Sequence, residues 1–169
     1  MRLFIDGYNV IFASTKHAFN MDNPERARMQ LISLLSAYRS ITRDEITVAF
    51  DGHADGRMYP QTQKVHGITI VFSEADADAD TLIKRLLAKE PNPKAAAVVS
   101  SDNSLRDFAK RLRAGQIDSE EFLRELDKRL KSAHAERADN DPIEKYEGLS
   151  RSEVDYWMKY FGFGAGGKK

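Results

Sequence analysis

Aspartates recur wherever a strand-like run of this chain ends, and that placement is the strongest chemical signal in it. Asp6 follows the apolar run 3–5, Asp51 follows 46–50, and Asp102 comes shortly after 95–99. Glu74, Asp76, Asp78 and Asp80 lie between the run 68–72 and the helical pattern after it. If those runs are parallel strands, their carboxyl ends share one sheet edge, the edge where ligands of open α/β sheets bind. Carboxylates gathered there repel one another, and burying them unpaired is costly or forces protons onto them. A divalent cation removes both penalties. A donor set of oxygens, with no cysteine in the chain and no histidine pair, favours Mg²⁺ or Mn²⁺ over Zn²⁺. Ions held this way support hydrolysis of phosphodiesters.

Each acid also has a plainer reading. Asp6-Gly7 and Asp51-Gly52 are common turn dipeptides. One of Asp76, Asp78 and Asp80 could cap the helix that follows, and Asp102 could cap the next. Alternation along an extended segment keeps those three from all facing one way.

The elements that would position the acids are legible from periodicity. Asn23 followed by Pro24 marks a helix start, after which Leu31, Leu34, Leu35 and Tyr38 form one apolar face. A second helix is expected over 79–89, with Leu82, Ile83, Leu86 and Leu87 inward, ending before Pro91 and Pro93. A third is expected from Asn103, with Leu105, Phe108, Ala109 and Leu112 inward, stopping at Gly115. Strands alternating with helices imply an α/β fold with a mainly parallel sheet. The segment 52–67 is long, polar and unpatterned, as functional loops often are.

Beyond Gly115 the composition changes. Residues 119–131 form a charged amphipathic pattern with Phe122, Leu123, Leu126 and Leu130 on one side, and 133–141 reads as a flexible link. Ser150 and Glu153 make a capping box for a last helix bearing Val154, Trp157, Met158 and Phe161. A Gly/Lys tail, expected to be disordered, closes the sequence. The division expected is a domain over 1–115 and a helical extension over 116–169.

Length and composition agree with one domain and its appendix: 169 residues, 41% apolar and 31% charged, enough for a core. Lys+Arg and Asp+Glu both number 26, so binding to duplex nucleic acid by bulk charge is not expected. No stretch is long enough to span a bilayer, and residues 1–6 lead directly into a strand, so a cytoplasmic protein without a cleaved leader is expected.

The segment Ile5-Asp6-Gly7-Tyr8-Asn9-Val10-Ile11 is similar to the opening motif of the NYN domain family, in its YacP-like branch. Phe50-Asp51-Gly52, Val71-Phe72-Ser73 leading to Ala79-Asp80-Thr81-Leu82-Ile83, and Val98-Val99-Ser100-Ser101-Asp102 resemble its later motifs in order and spacing over about residues 1–115. The resemblance implies a PIN-like three-layer fold, with a central sheet between helices, and a metal-dependent endoribonuclease. It implies Asp6, Asp80 and Asp102 as the carboxylates holding Mg²⁺ or Mn²⁺, with Asp51 as an auxiliary acid and Asn9 orienting Asp6 or touching the scissile phosphate. Asp78 and Asn103 are outer candidates, and the Asp76–Asp80 run allows a two-residue shift in register. The branch implies single-stranded messenger RNA as substrate, cut on the ribosome by in-line attack of water to leave 5′-phosphate and 3′-hydroxyl ends.

For RNA contacts, the loop residues His53, Arg57, Tyr59, Lys64 and His66 and the helix residues Arg106, Lys110, Arg111 and Arg113 offer charge and one ring. The bland alternative for each group is a solvated surface. His17, His53, His66 and His134 fall in no triad and are expected to be structural or exposed. Tyr156, Trp157, Tyr160 and Phe161 could pack on the domain or dock a partner such as the ribosome. A non-catalytic RNA- or ribosome-binding module is the competing function. A receiver or haloacid-dehalogenase-type phosphatase fits less well, because Gly7 and Tyr8 stand where their second acid is needed.

Overall fold

The computed structural model describes residues 1–14, 19–52, 62–74 and 77–138. In chain order the elements are β1 (Arg2–Asp6), α1 (Gly7–Ala13), α2 (Pro24–Thr42), β2 (Glu45–Phe50), β3 (Thr62–Val65), β4 (Ile68–Phe72), α3 (Ala79–Ala88), β5 (Ala96–Val99), α4 (Asn103–Arg111), β6 (Gly115–Ile117) and α5 (Ser119–Ala138). They build one sheet in the order β3-β4-β2-β1-β5-β6. All neighbours are parallel except β3, which runs antiparallel to β4.

The central strands are short and apolar because both faces are covered. One face carries Leu3, Ile5, Val48, Phe50, Ile70, Phe72 and Val99 against α1, α2 and α5. The other carries Phe4, Ala49, Val71, Ala96 and Val98 against α3 and α4. The result is the expected α/β three-layer fold. The helix starts follow local chemistry: the Asn23 side chain accepts from the Arg26 N–H at 3.0 Å with Pro24 next in line. Leu31, Leu34, Leu35 and Tyr38 are buried, as their spacing predicts.

Two strands escape the periodicity. Thr62–Val65 lies in the segment expected to be a loop, yet it pairs with β4 through a two-residue turn at His66-Gly67. Both turn residues have positive φ, 49° and 80°, the twist that tight hairpins require. Its outer face is exposed, so the strand shows no apolar alternation to read. The third helix ends at Arg111 rather than at Gly115; Arg113 turns left-handed (φ 59°), and Gly115 opens β6. A Cβ at Gly115 would crowd Ala97 on β5.

The sheet therefore continues past the expected division at residue 115. β6 is paired to β5, and α5 sends Phe122, Leu123 and Leu126 into the same core as Leu31 and Leu35. Phe122 meets Tyr38 edge-on, with ring centres 5.6 Å apart. α5 also runs through Ala138, so the first part of the link expected over 133–141 is helix. The reason is the fall in apolar content alone: a helix that buries one face near its start can continue as a solvated helix. The expected capping box at Ser150, the aromatic group of Tyr156, Trp157, Tyr160 and Phe161, and the Gly/Lys tail lie outside the described residues. Among the described residues, no helix is long and apolar enough to cross a membrane.

From β1 the chain moves outward to β2 and β4, then returns to β5 on the other side of β1. The crossover reverses direction between β1 and β5, which opens a crevice beyond their carboxyl ends.

Candidate metal and phosphate site

Asp6 ends β1 and Asp102 caps α4 after β5, so the two flank that crevice. Asp6 shares its sheet face with Phe4, two residues earlier, on the side covered by α3 and α4. Asp51, one residue past β2, follows the inward Phe50 and turns the same way. Asp80 lies in the first turn of α3.

Asp6 and Asp80 feel their acidic neighbours. Burial is the first cause that raises Asp6, to about 6, and the charges of Asp80, Asp51 and Asp102 push the same way, while the Asn9 N–H opposes them. Asp80 is also raised, by burial first and then by Asp102, with Lys84 opposing. Asp6 thus stands in the field of acids from three other places in the sequence, Asp80, Asp51 and Asp102.

The plainer readings hold as well. Asp6 Oδ1 accepts from the Asn9 N–H at 3.0 Å and caps α1. Asp102 Oδ1 accepts from the Leu105 N–H at 2.9 Å and caps α4. Asp51 Oδ1 accepts from the Ala79 N–H at 2.7 Å, tying β2 to the start of α3. Each bond uses one carboxylate oxygen. Capping and convergence are compatible, because a cap fixes the direction of the side chain that carries the other oxygen.

Asp78 differs from Asp80 although two residues separate them. Asp78 is exposed, caps α3 through the Thr81 N–H at 2.7 Å, and is held below the usual carboxylate range by hydrogen bonds to Thr81. Asp80 is the one that senses Asp6 and Asp102. Asp76 lies outside the described residues. The chemistry of this donor set, oxygens only and mutually repelling, fits a hard divalent cation. As placed, no three described His, Asp or Glu residues surround one point as ligands.

Gly7 and Gly52 follow two of the acids for a reason other than turn geometry. A Cβ at Gly7 would overlap the Phe50 ring, and one at Gly52 would overlap the Ser73 carbonyl. Close approach of the backbone, and not a positive φ, makes these Asp-Gly pairs.

Asn9 does more than follow Asp6. Its side-chain oxygen accepts from the Ser101 N–H and from Ser119 Oγ, both at 2.8 Å. That joins α1 to the turn presenting Asp102 and to the first residue of α5. Ser100 Oγ, fully buried, accepts from the Asp102 N–H at 3.1 Å. Asp118 was not expected: its Oδ2 accepts from Ser101 Oγ at 2.9 Å and lies 3.9 Å from Arg106 Nη1. Burial works to raise Asp118, but hydrogen bonds from Ser101 and the N–H groups of Glu121 and Glu120, with the Arg106 charge, hold it low. Lys84 is a second unexpected neighbour, 3.8 Å from Asp80 Oδ2 and 2.9 Å from Ser104 Oγ. Strand β6 was the signal missing for Asp118, since an acid after an unrecognised strand attracts no notice; Lys84 is legible as an i,i+4 partner of Asp80.

The expected RNA-contacting residues divide. Arg106 stands at the site. Lys110 sits at the far end of α4, roughly 12 Å along the axis from its capped start. Lys64 is exposed on β3, paired with Thr69, three strands from β1 and toward the opposite sheet edge. Neither lies beside the acids, because a helix and an edge strand each carry them away from the crevice. His66 holds a turn, its carbonyl accepting from Ser36 Oγ at 3.1 Å, and His134 is exposed. His17, His53, Arg57 and Tyr59 lie outside the described residues. Asn103 is exposed in the first turn of α4.

Comparison with known proteins places this geometry in context. The family model described as YacP-like NYN domain matches residues 3–161. An uncharacterized protein YacP of Bacillus subtilis is 33% identical over 86 residues, which cover 50% of this chain and 49% of that protein. The match thus spans about half the length of the curated relative. A mutant crystal structure of Rae1 (YacP) from Bacillus subtilis superposes with a TM-score of 0.69 at 23% identity, covering 95% of this chain and 92% of that one. Another crystal structure of Rae1 (YacP) gives 0.65 at 26% identity, covering 82% and 80%.

Proposed function

The chain belongs to the YacP-like NYN domain family, of PIN-like nuclease type, and on that premise we propose that it is a cytoplasmic, metal-dependent endoribonuclease acting on single-stranded messenger RNA, with the ribosome as the place of cleavage. The observation that carries the reading is the placement of Asp6, Asp51 and Asp102 at the carboxyl ends of β1, β2 and β5, with Asp80 in the first turn of α3, which the raised Asp6 carboxyl accompanies. Capping the helices and tying β2 to α3 uses one oxygen each of Asp6, Asp102 and Asp51, while each added charge opposes the others. A cation and a phosphate together make use of them.

In this reading Asp6, Asp80 and Asp102 hold Mg²⁺ or Mn²⁺, and Asp51 both assists and fixes the start of α3. When bound, the ion supplies the positive charge that lets water attack phosphorus and the 3′ oxygen depart. Asn9 keeps Asp6 and the Asp102 turn at a fixed separation through its bond to Ser101. Arg106, turned toward Asp118, can exchange that loose pairing for a phosphate oxygen of the strand. Lys84 restrains Asp80 until the ion arrives. Ribosome association rests on the family branch alone.

The experiment is incubation of end-labelled RNA with Mn²⁺, comparing wild type with Asp6→Asn and Asp80→Asn. The expected result is internal cleavage by wild type and a loss of about 100-fold or more in each variant. RNA binding without cleavage by any of them would support the binding-module alternative instead.

A further inference from the structure

We propose that Tyr8 and Phe12 form an aromatic platform that stacks a nucleobase of the RNA strand beside the scissile phosphate. This rests on the reading of the site as an RNA nuclease and names how that site grips its substrate. Phe12 is 66% exposed on α1. A lone exposed ring needs no explanation; the setting of this one does. Its ring is stacked on Tyr8, with centres 6.0 Å apart and planes inclined by 22°. Tyr8 is in turn held from beneath. Phe50 meets it edge-on at 5.3 Å, and Arg28 Nη1 donates to its hydroxyl at 2.6 Å. Phe50 continues the row to Phe72 at 5.9 Å, and the buried Arg28 lies over both of those rings. An aromatic row thus runs from the core of the sheet to the surface and ends in an open ring face.

The position of that face selects the occupant. Tyr8 and Phe12 are four residues apart and share one side of the helix that Asp6 caps. Phe12 lies roughly 9 Å along the axis from Asp6, within reach of a base adjoining a phosphate at the acids. The crevice is acidic and the whole chain carries no net charge, so bulk attraction to the phosphate backbone adds little to the local contact that Arg106 offers. Stacking on a ring is independent of charge and tolerant of base identity. Holding Tyr8 rigid in advance removes part of the ordering cost of such contact.

The test uses the full chain carrying Asp6→Asn, which leaves the RNA whole, and fluorescence anisotropy with a short unstructured RNA. A set of otherwise identical strands each lacks the base at one position. With Phe12 present, one or two missing bases should weaken binding by about 5- to 150-fold, the range of a lost stack. With Phe12→Ala added, binding to the intact strand should fall by a similar factor and those positions should cease to matter. Phe12→Trp should restore the pattern, Phe12→Leu should not, and the dependence of affinity on salt should keep its slope because no phosphate contact is lost. If missing bases cost the same with and without Phe12, or Phe12→Leu behaves as wild type, or no RNA binds, the platform is overturned. Cleavage by the wild type without this coupling removes the platform and leaves the nuclease; coupling without cleavage does the reverse.

Discussion

The side-chain oxygen of Asn9 accepts the Ser101 N–H at 2.8 Å, bridging the first turn of α1 and the turn that presents Asp102. The same oxygen receives the hydroxyl of Ser119, which is fully buried. Asn9→Ala leaves both donors without their acceptor, at a cost of about 1–3 kcal/mol. Urea unfolding should show that loss, and RNA cleavage should fall further than the stability change explains, because Asp6 and Asp102 lose their fixed separation.

Asp6 predicts an inverted pH dependence. Its ordinary pKa of 3.8 rises to about 6 in the fold, chiefly through burial. Between those values the folded chain keeps a proton that the unfolded chain has released, so stability declines as pH rises through the interval. The decline attributable to Asp6 is at most about 3 kcal/mol. Asp6→Asn keeps an oxygen to accept the Asn9 N–H while removing the charge. In metal-free buffer it should flatten the decline and unfold at a higher urea concentration than wild type at pH 7.

Metal should close that gap. A cation bound only by the folded state stabilises it by about 2.7 kcal/mol at a hundredfold excess over its Kd. Thermal unfolding of wild type should therefore shift upward with Mn²⁺, and Asp6→Asn and Asp80→Asn should shift little.

Asp78 and Asp80 should separate cleanly. Asp78→Ala loses the cap on the Thr81 N–H, at about 0.5–2 kcal/mol, and should retain cleavage once folded. Asp80→Asn should lose cleavage and keep its stability. The opposite assignment would show that the site uses the run two residues earlier in register.

Much of this was legible beforehand. Four of the six strands and the helices starting at Pro24, Ala79 and Asn103 follow from apolar periodicity and caps. The placement of Asp6, Asp51 and Asp102 just past strand ends was legible too, because parallel strands end on one edge. β3 was not, since an edge strand with a solvated face has no alternation to display, and its pairing is carried by backbone groups common to all residues. β6 has only Gly115, Gln116 and Ile117, too short for any pattern, and with it went Asp118. The division at residue 115 followed a real change in composition, but burial of Phe122 and Leu126 depends on where α5 lands against α2, which composition does not encode. The choice between Asp78 and Asp80 likewise awaited the geometry of the first turn of α3.

Gly7→Ala asks whether close packing sets the acid cluster. Its methyl group would overlap Phe50, a fully buried ring with neighbours on several sides. Overpacking of that kind costs about 1–3 kcal/mol, to be read from the urea midpoint.

The claim beneath all of these is that Asp6, Asp80 and Asp102 gather around a cation. Anomalous diffraction from a crystal soaked in Mn²⁺ tests it most directly. The account predicts a peak bounded by those three side chains with Asp51 at its edge; an ion bound elsewhere, or no peak at a concentration that supports cleavage, contradicts it.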